Sequence, residues 1–179
     1  MRDTLLQRWV EQPPAPPNIQ YLRDAERAAA HELLGLSGRI LDVASEATLT
    51  RELEGSITRL DFSMASSKHA REAIGTTNTR YVVTDPDDPR LPFDTDAFDA
   101  AVSIGPFDWR FLDIDTLVAE LHRVIGDGPL VFSVPTPRSP YAVSDRNRLR
   151  YYEPHQVRAL ISPDWHLADR RLIFQFPAP

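Results

Sequence analysis

Three aspartates close short apolar runs in this 179-residue chain: Asp42 after Arg39-Ile40-Leu41, Asp61 after Ile57-Thr58-Arg59-Leu60, and Asp85 after Tyr81-Val82-Val83-Thr84. A fourth run ends in Ser103-Ile104-Gly105. Carboxylates accept hydrogen bonds from hydroxyl and amine donors. Taken singly, each also serves as a helix cap or turn residue. As a set at successive strand ends they line one edge of one cleft. The loop behind the first run reads Ala44-Ser45-Glu46-Ala47-Thr48. Ser45 is a competent N-cap for a following helix, and Glu46 suits its positive end. Further on, Phe107 and Trp109 either wall a flat or apolar ligand or pack beneath a neighbouring helix, with Asp108 between them to orient or deprotonate that ligand. His31, His69, His122, His155 and His166 fall on separate elements with no pair at metal-ligand spacing, so no metal site is expected.

Positioning those carboxylates requires strands that end together. Leu22, Ala25, Ala29, Leu33 and Leu34 recur every three or four residues and predict a helix from Gln20 to Leu36. Strands are expected from Arg39, over Ile57–Phe62, Thr79–Thr84, Phe98–Ile104 and Pro129–Val134, separated by helices over 46–54, Ser63–Ile74 and Ile114–Ile125. Strands alternating with helices of about ten residues imply an α/β fold with right-handed crossovers: a doubly wound, Rossmann-like, mostly parallel sheet in three α/β/α layers. In such sheets ligands bind outside the carboxyl ends of the strands. A helix over Glu153–Ile161 and a long strand or bent hairpin over Trp165–Phe176 complete the chain. At the other end, residues 3–11 form a short helix carrying Leu5, Leu6 and Trp9, and Pro13, Pro14, Pro16 and Pro17 dictate an extended tether. Residues 1–19 are thus an N-terminal helix and proline-rich tether, and 20–179 one domain.

The order of these segments resembles the class I S-adenosylmethionine-dependent methyltransferases, in particular the branch that includes the ubiquinone/menaquinone-biosynthesis type. Arg39-Ile40-Leu41-Asp42-Val43 is similar to the family's first strand, and Arg59-Leu60-Asp61-Phe62-Ser63 to its second-strand motif, whose acidic residue holds the ribose hydroxyls. Asp85, with Leu91-Pro92-Phe93 and Ala97-Phe98-Asp99-Ala100, resembles the segment whose first aspartate faces the adenine amino group. Glu120 to Leu130 resembles the helix and turn before the fifth strand, and Arg150-Tyr151-Tyr152-Glu153-Pro154 the opening of the last helix. The resemblance implies S-adenosylmethionine as cofactor, a small-molecule methyl acceptor, and a binding set of Asp42, Ala44, Ser45, Asp61, Phe62, Asp85, Pro86 and Ser103. It singles out no catalytic residue, because positioning and desolvation supply most of the catalysis of methyl transfer.

The first loop departs from the family. Where the family has Gly-x-Gly-x-Gly, this chain has Ala44, Glu46 and Thr48. Two alternatives stay open: Glu46 pairs with the cofactor's ammonium in a reshaped loop, or the loop fills the site and the protein is an inactive scaffold that binds or regulates a partner. A nicotinamide-binding domain is a third reading, opposed by the lack of Gly-x-Gly-x-x-Gly after the first strand. The family sheet ends with two strands, and only about fifteen residues follow Pro163, so the last strand is expected to be missing or shortened. The exposed edge this leaves suggests a homodimer or a partner subunit.

Composition narrows the classes. A net charge of −6, from 20 basic against 26 acidic residues, opposes a bulk surface for duplex nucleic acid. The locally basic stretch of Arg138, Arg146, Arg148, Arg150 and Arg158 reads as a solvated loop or an anionic-ligand contact. Lacking cysteine, the chain has no disulfide framework and no thiolate site. No leader or apolar run long enough for a membrane span is legible, so a cytoplasmic protein is expected. Lysine occurs once, at Lys68, against 19 arginines, and with the acidic excess this is compatible with a salt-adapted organism.

Overall fold

The computed structural model describes residues 17–34, 38–75, 77–88, 90–139, 150–161 and 165–173. The expected helix over 3–11, its tether up to Pro16, most of the basic loop (140–149) and the last six residues lie outside the described residues.

Apolar spacing in the sequence becomes helix α1 (Pro17–Leu34), which starts three residues before the expected Gln20 and so takes Pro17 into the helix rather than the tether; its Leu22 and Ala30 are buried. Proline at its first position suits a helix start, where the missing N–H has no partner to lose. Strand β1 (Arg39–Val43), helix α2 (Ala47–Glu52), β2 (Ser56–Asp61), α3 (Met64–Ile74) and β3 (Thr79–Val83) follow. Then come β4 (Ala100–Ile104), a 3-10 turn (Pro106–Asp108), α4 (Ile114–Ile125), β5 (Leu130–Ser133) and α5 (Pro154–Ile161). Side-chain caps start two of the helices. Ser63 accepts from Ser66 N at 3.1 Å, and Asp113 accepts from Thr116 N at 3.2 Å.

The five strands form one sheet in the order β3-β2-β1-β4-β5, with every pairing parallel. Strand alternation sorts the core into two layers. Leu41, Val43, Leu60 and Ala101 point toward α4, where Leu117, Leu121 and Val124 meet them. Ile40, Ile57, Ala100, Val102 and Ile104 point the other way, toward Ala30 of α1 and Leu49 of α2. The turn from α4 into β5 needs Gly128, because a Cβ there would stand 2.5 Å from Asp99 O and 2.8 Å from Ile125 O. Two sequence motifs also pack on each other here. Arg123 donates to Phe93 O at 2.8 Å and Leu91 O at 3.0 Å, and Glu120 accepts from Leu91 N at 2.9 Å.

Residues 165–173 do not form the expected strand or hairpin. They run without regular structure from Trp165, set edge-on to His122 at 5.2 Å, to Arg171, which pairs with Glu32 of α1 at 3.0 Å. Those two anchors hold the segment away from β5, and a cavity of about 560 Å³ lies between them. Among the described residues, then, no strand pairs with the outer edge of β5. No described helix is long and apolar enough to cross a membrane.

Candidate functional site

The carboxyl ends of β1, β2 and β4 meet at the loop behind β1. Ala44 turns this loop with φ of 50°, the left-handed conformation that costs a residue with a Cβ roughly 1–2 kcal/mol. The turn is held on both sides: Ala44 N donates to Leu60 O at 2.8 Å, and Ser45 N donates to Asp42 Oδ1 at 3.1 Å. Ser45 does not cap α2 as expected, since its hydroxyl accepts from Ile104 N at 3.0 Å and stitches the loop to β4. Ser103 donates to Val43 O at 3.2 Å and is fully buried.

Beneath the loop lies an ionic cluster whose centre the sequence reading passed over. Parallel register sets Arg59 beside Asp42, and period-2 alternation puts Arg59 and Asp61 on the same face. Arg59 grips Asp61 with two bonds, Nε to Oδ2 at 3.1 Å and Nη2 to Oδ1 at 3.0 Å. Its Nη1 reaches Asp42 Oδ2 at 3.1 Å and Thr50 Oγ1 at 2.7 Å, while the Thr50 hydroxyl donates to Asp42 Oδ2. The Asp42 and Asp61 side chains are 0% exposed and that of Arg59 is 5% exposed. Burial works against the Arg59 charge, but the attraction of Asp42 and then of Asp61 outweighs it and raises its pKa. Burial pushes the Asp61 carboxyl above its ordinary value against the pull of Arg59, and the nearby Asp42 charge adds to the rise.

The eight expected cofactor-binding residues therefore divide. Asp42, Ala44, Ser45, Asp61 and Ser103 are brought together, yet all five are buried. Phe62 is buried as well, meeting Trp109 edge-on at 6.1 Å. Pro86 is buried, and Asp85 is exposed, its carboxylate accepting from Asp87 N at 3.0 Å in a tight turn. The three strand-end aspartates do not line one open cleft, because Asp42 sits inside β1 and shares Arg59 with Asp61.

Phe107 and Trp109 take the packing role. Phe107 is fully buried and stacks on Phe132 at 4.5 Å, while Trp109 stacks on Phe111 at 5.4 Å. Tyr152 fastens this turn from outside, donating to Phe107 O at 2.8 Å. Asp108 and half-buried Glu46 line the cavity instead, where it reaches Ile104 and Gly105 at the end of β4. Its wall on the α1 side carries Glu26, whose carboxyl is pushed up to about 7 by burial, with Arg23 pulling the other way. The sequence did carry a signal for Glu26: it stands four residues from both Leu22 and Ala30, a carboxyl inside an apolar stripe.

Comparison with known proteins follows the same frame. The family model described as "Methyltransferase domain" matches residues 41–132, more than half of the chain. The search of curated proteins returned no match. Among solved structures, a chain from the Haloferax volcanii complex of the Trm112 methyltransferase activator aligns at 18% identity and TM-score 0.65, over 86% of this chain and 72% of that one. An S-adenosylmethionine-dependent methyltransferase from Thermotoga maritima aligns at 16% identity and TM-score 0.64, over 79% and 70%. Geranyl diphosphate C-methyltransferase from Streptomyces coelicolor, solved with S-adenosyl-L-homocysteine, aligns at 14% identity and TM-score 0.61, over 79% and 57%. At these identities the structural matches speak for the fold, and the family match speaks for descent. Strand order, the left-handed turn behind β1 and the match over 41–132 agree: the chain belongs to the methyltransferase-domain family of class I S-adenosylmethionine-dependent methyltransferases.

Proposed function

We propose that this protein binds S-adenosylmethionine at the carboxyl ends of β1, β2 and β3 and transfers its methyl group to a small molecule. The observation that carries the reading is the backbone behind β1. Ala44 adopts a glycine-like left-handed turn although the loop has lost its glycines, so the chain keeps the path that lets a cofactor approach. The carboxylate acceptors suit such a ligand. A carboxylate has about four lone-pair sites, and Arg59 uses two of those on Asp61, so each oxygen keeps one that a ribose hydroxyl could use once the buried carboxylate is uncovered. Asp85 is exposed beyond β3, where its carboxylate could accept from an amino group as well as from Asp87 N. The bound cofactor would supply an activated methyl group. Asp61 and Asp85 would orient its nucleoside, and the cavity beyond Gly105 would take the acceptor.

Calorimetric titration with S-adenosylhomocysteine tests this. Micromolar binding that Asp61→Ala abolishes is the expected result, and no heat from folded protein at low or molar salt would overturn the reading. A second reading, a methyltransferase-like subunit that binds or regulates a partner, is favoured by the closure of Asp61 behind Arg59. Among the described residues no strand pairs with the outer edge of β5, which supports a second copy or a partner subunit docking there. A monomeric mass in light scattering at micromolar concentration would argue against the second copy.

A further inference from the structure

We propose that Arg59 is an internal lock on the cofactor-facing carboxylate: Asp61 can engage a ribose diol only when Arg59 releases part of its grip, and this release limits the affinity for S-adenosyl ligands. The inference rests on the proposed cofactor site and adds a residue that works against it.

Three observations converge. First, four of the five guanidinium N–H donors are used inside the cluster: two on Asp61, and two from Nη1 on Asp42 and Thr50. Second, neither Asp61 nor Asp42 is exposed, so the remaining lone pairs of Asp61 do not face open solvent. Third, the backbone around Asp61 is pinned, with Thr84 N donating to Asp61 O at 3.0 Å, so the carboxylate cannot swing outward by moving its strand. Exposing Asp61 therefore falls to side chains, and Arg59 is the one that holds both oxygens.

Chemistry reinforces the geometry. A carboxylate neutralised by a forked guanidinium is a weaker acceptor for a neutral hydroxyl, and the bond it already has is charge-assisted. Giving up one such bond to admit the ligand weakens binding by about tenfold. Asp42 and Thr50 hold the arginine in place from the other side, so the lock is set by β1 and α2 as well as by β2.

The test compares wild-type protein with two variants in S-adenosylhomocysteine titrations, with urea denaturation run alongside. Arg59→Lys keeps the charge but loses the fork. The double variant Asp42→Asn/Arg59→Gln removes one charge of each sign, so the cluster keeps its net charge of −1 without an unpaired buried cation. Both are expected to bind about tenfold more tightly than wild type, and adding Asp61→Asn to the double variant should remove the gain. If wild type binds and neither folded variant binds more tightly, the lock is overturned while the cofactor site stands. If neither wild type nor the folded variants bind, the cofactor site and the lock fall together. Where one variant fails to fold, the other decides. Loss of fold in both would also overturn the lock, since the cluster would then serve the fold alone.

Discussion

Replacing Glu26 by glutamine should stabilise the protein at alkaline pH and leave it unchanged under acid conditions. Glu26 lies in the apolar stripe of α1, between buried Leu22 and Ala30, and faces the cavity beside β5. Burial raises its carboxyl from 4.5 to about 7, Arg23 offsetting part of the rise. Between those two pH values the folded protein holds a proton that the unfolded chain has released, so stability falls as pH rises through the window and the loss is complete above pH 7. The gap corresponds to roughly 3 kcal/mol, a large share of the 5–15 kcal/mol that holds a typical domain together. Glutamine is close in shape and never ionises, so it escapes this penalty. With a denaturant slope of about 2 kcal/mol/M, the urea midpoint of Glu26→Gln should exceed that of wild type by about 1.5 M at pH 8. At pH 4.5 the two midpoints should nearly coincide. A difference that stays constant between pH 4.5 and 8, or a wild type that is the more stable at pH 8, would refute the argument that Glu26 is desolvated in the folded state.

Two further perturbations probe the frame around the site. Tyr152→Phe removes the hydroxyl bonded to Phe107 O and should cost about 1–2 kcal/mol in urea denaturation, because the buried carbonyl loses its partner; an unchanged midpoint would mean that water replaces it. Gly128→Ala drives a Cβ against the Asp99 and Ile125 carbonyls, both backbone atoms that cannot swing away, and should destabilise by about 1–3 kcal/mol. Near-neutral behaviour there would show that the turn into β5 is looser than its contacts.

The fold was legible because its signals are local and repeated. Apolar runs of four to six residues separated by helical periods dictated parallel strands, and α4 occupies the expected Ile114–Ile125. The last stretch misled for a physical reason. Trp165 to Phe176 has β-forming residues, but whether such a run becomes a strand depends on an edge within reach. Arg171 on Glu32 and Trp165 on His122 hold its described part, 165–173, across the cavity instead. Ser45 misled differently: a serine before a helix is a good cap, yet the nearby end of β4 offered its hydroxyl Ile104 N.

The site was half legible, and the missing half explains the rest. Asp42 and Asp61 were found as acids behind apolar runs, but acids alone predict an open cleft. What closes it is Arg59, a buried cation in the middle of a strand, with Ile57 as its apolar neighbour on the same face. Its place was written in the chain, two residues before Asp61 and therefore on the same face. Its pairing with Asp42 was not, since that depends on the register of β1 against β2, which sequence periodicity leaves free. A buried arginine is expensive unless each neighbouring charge answers it, so one residue in β2 decides how the acids of two strands are used. On that argument, a first loop without glycine and an arginine beside Asp61 bear on the same proposed site in different ways. Ala44 keeps the turn of the first in a left-handed conformation, and under the proposed reading it is the second that would govern how Asp61 meets a cofactor.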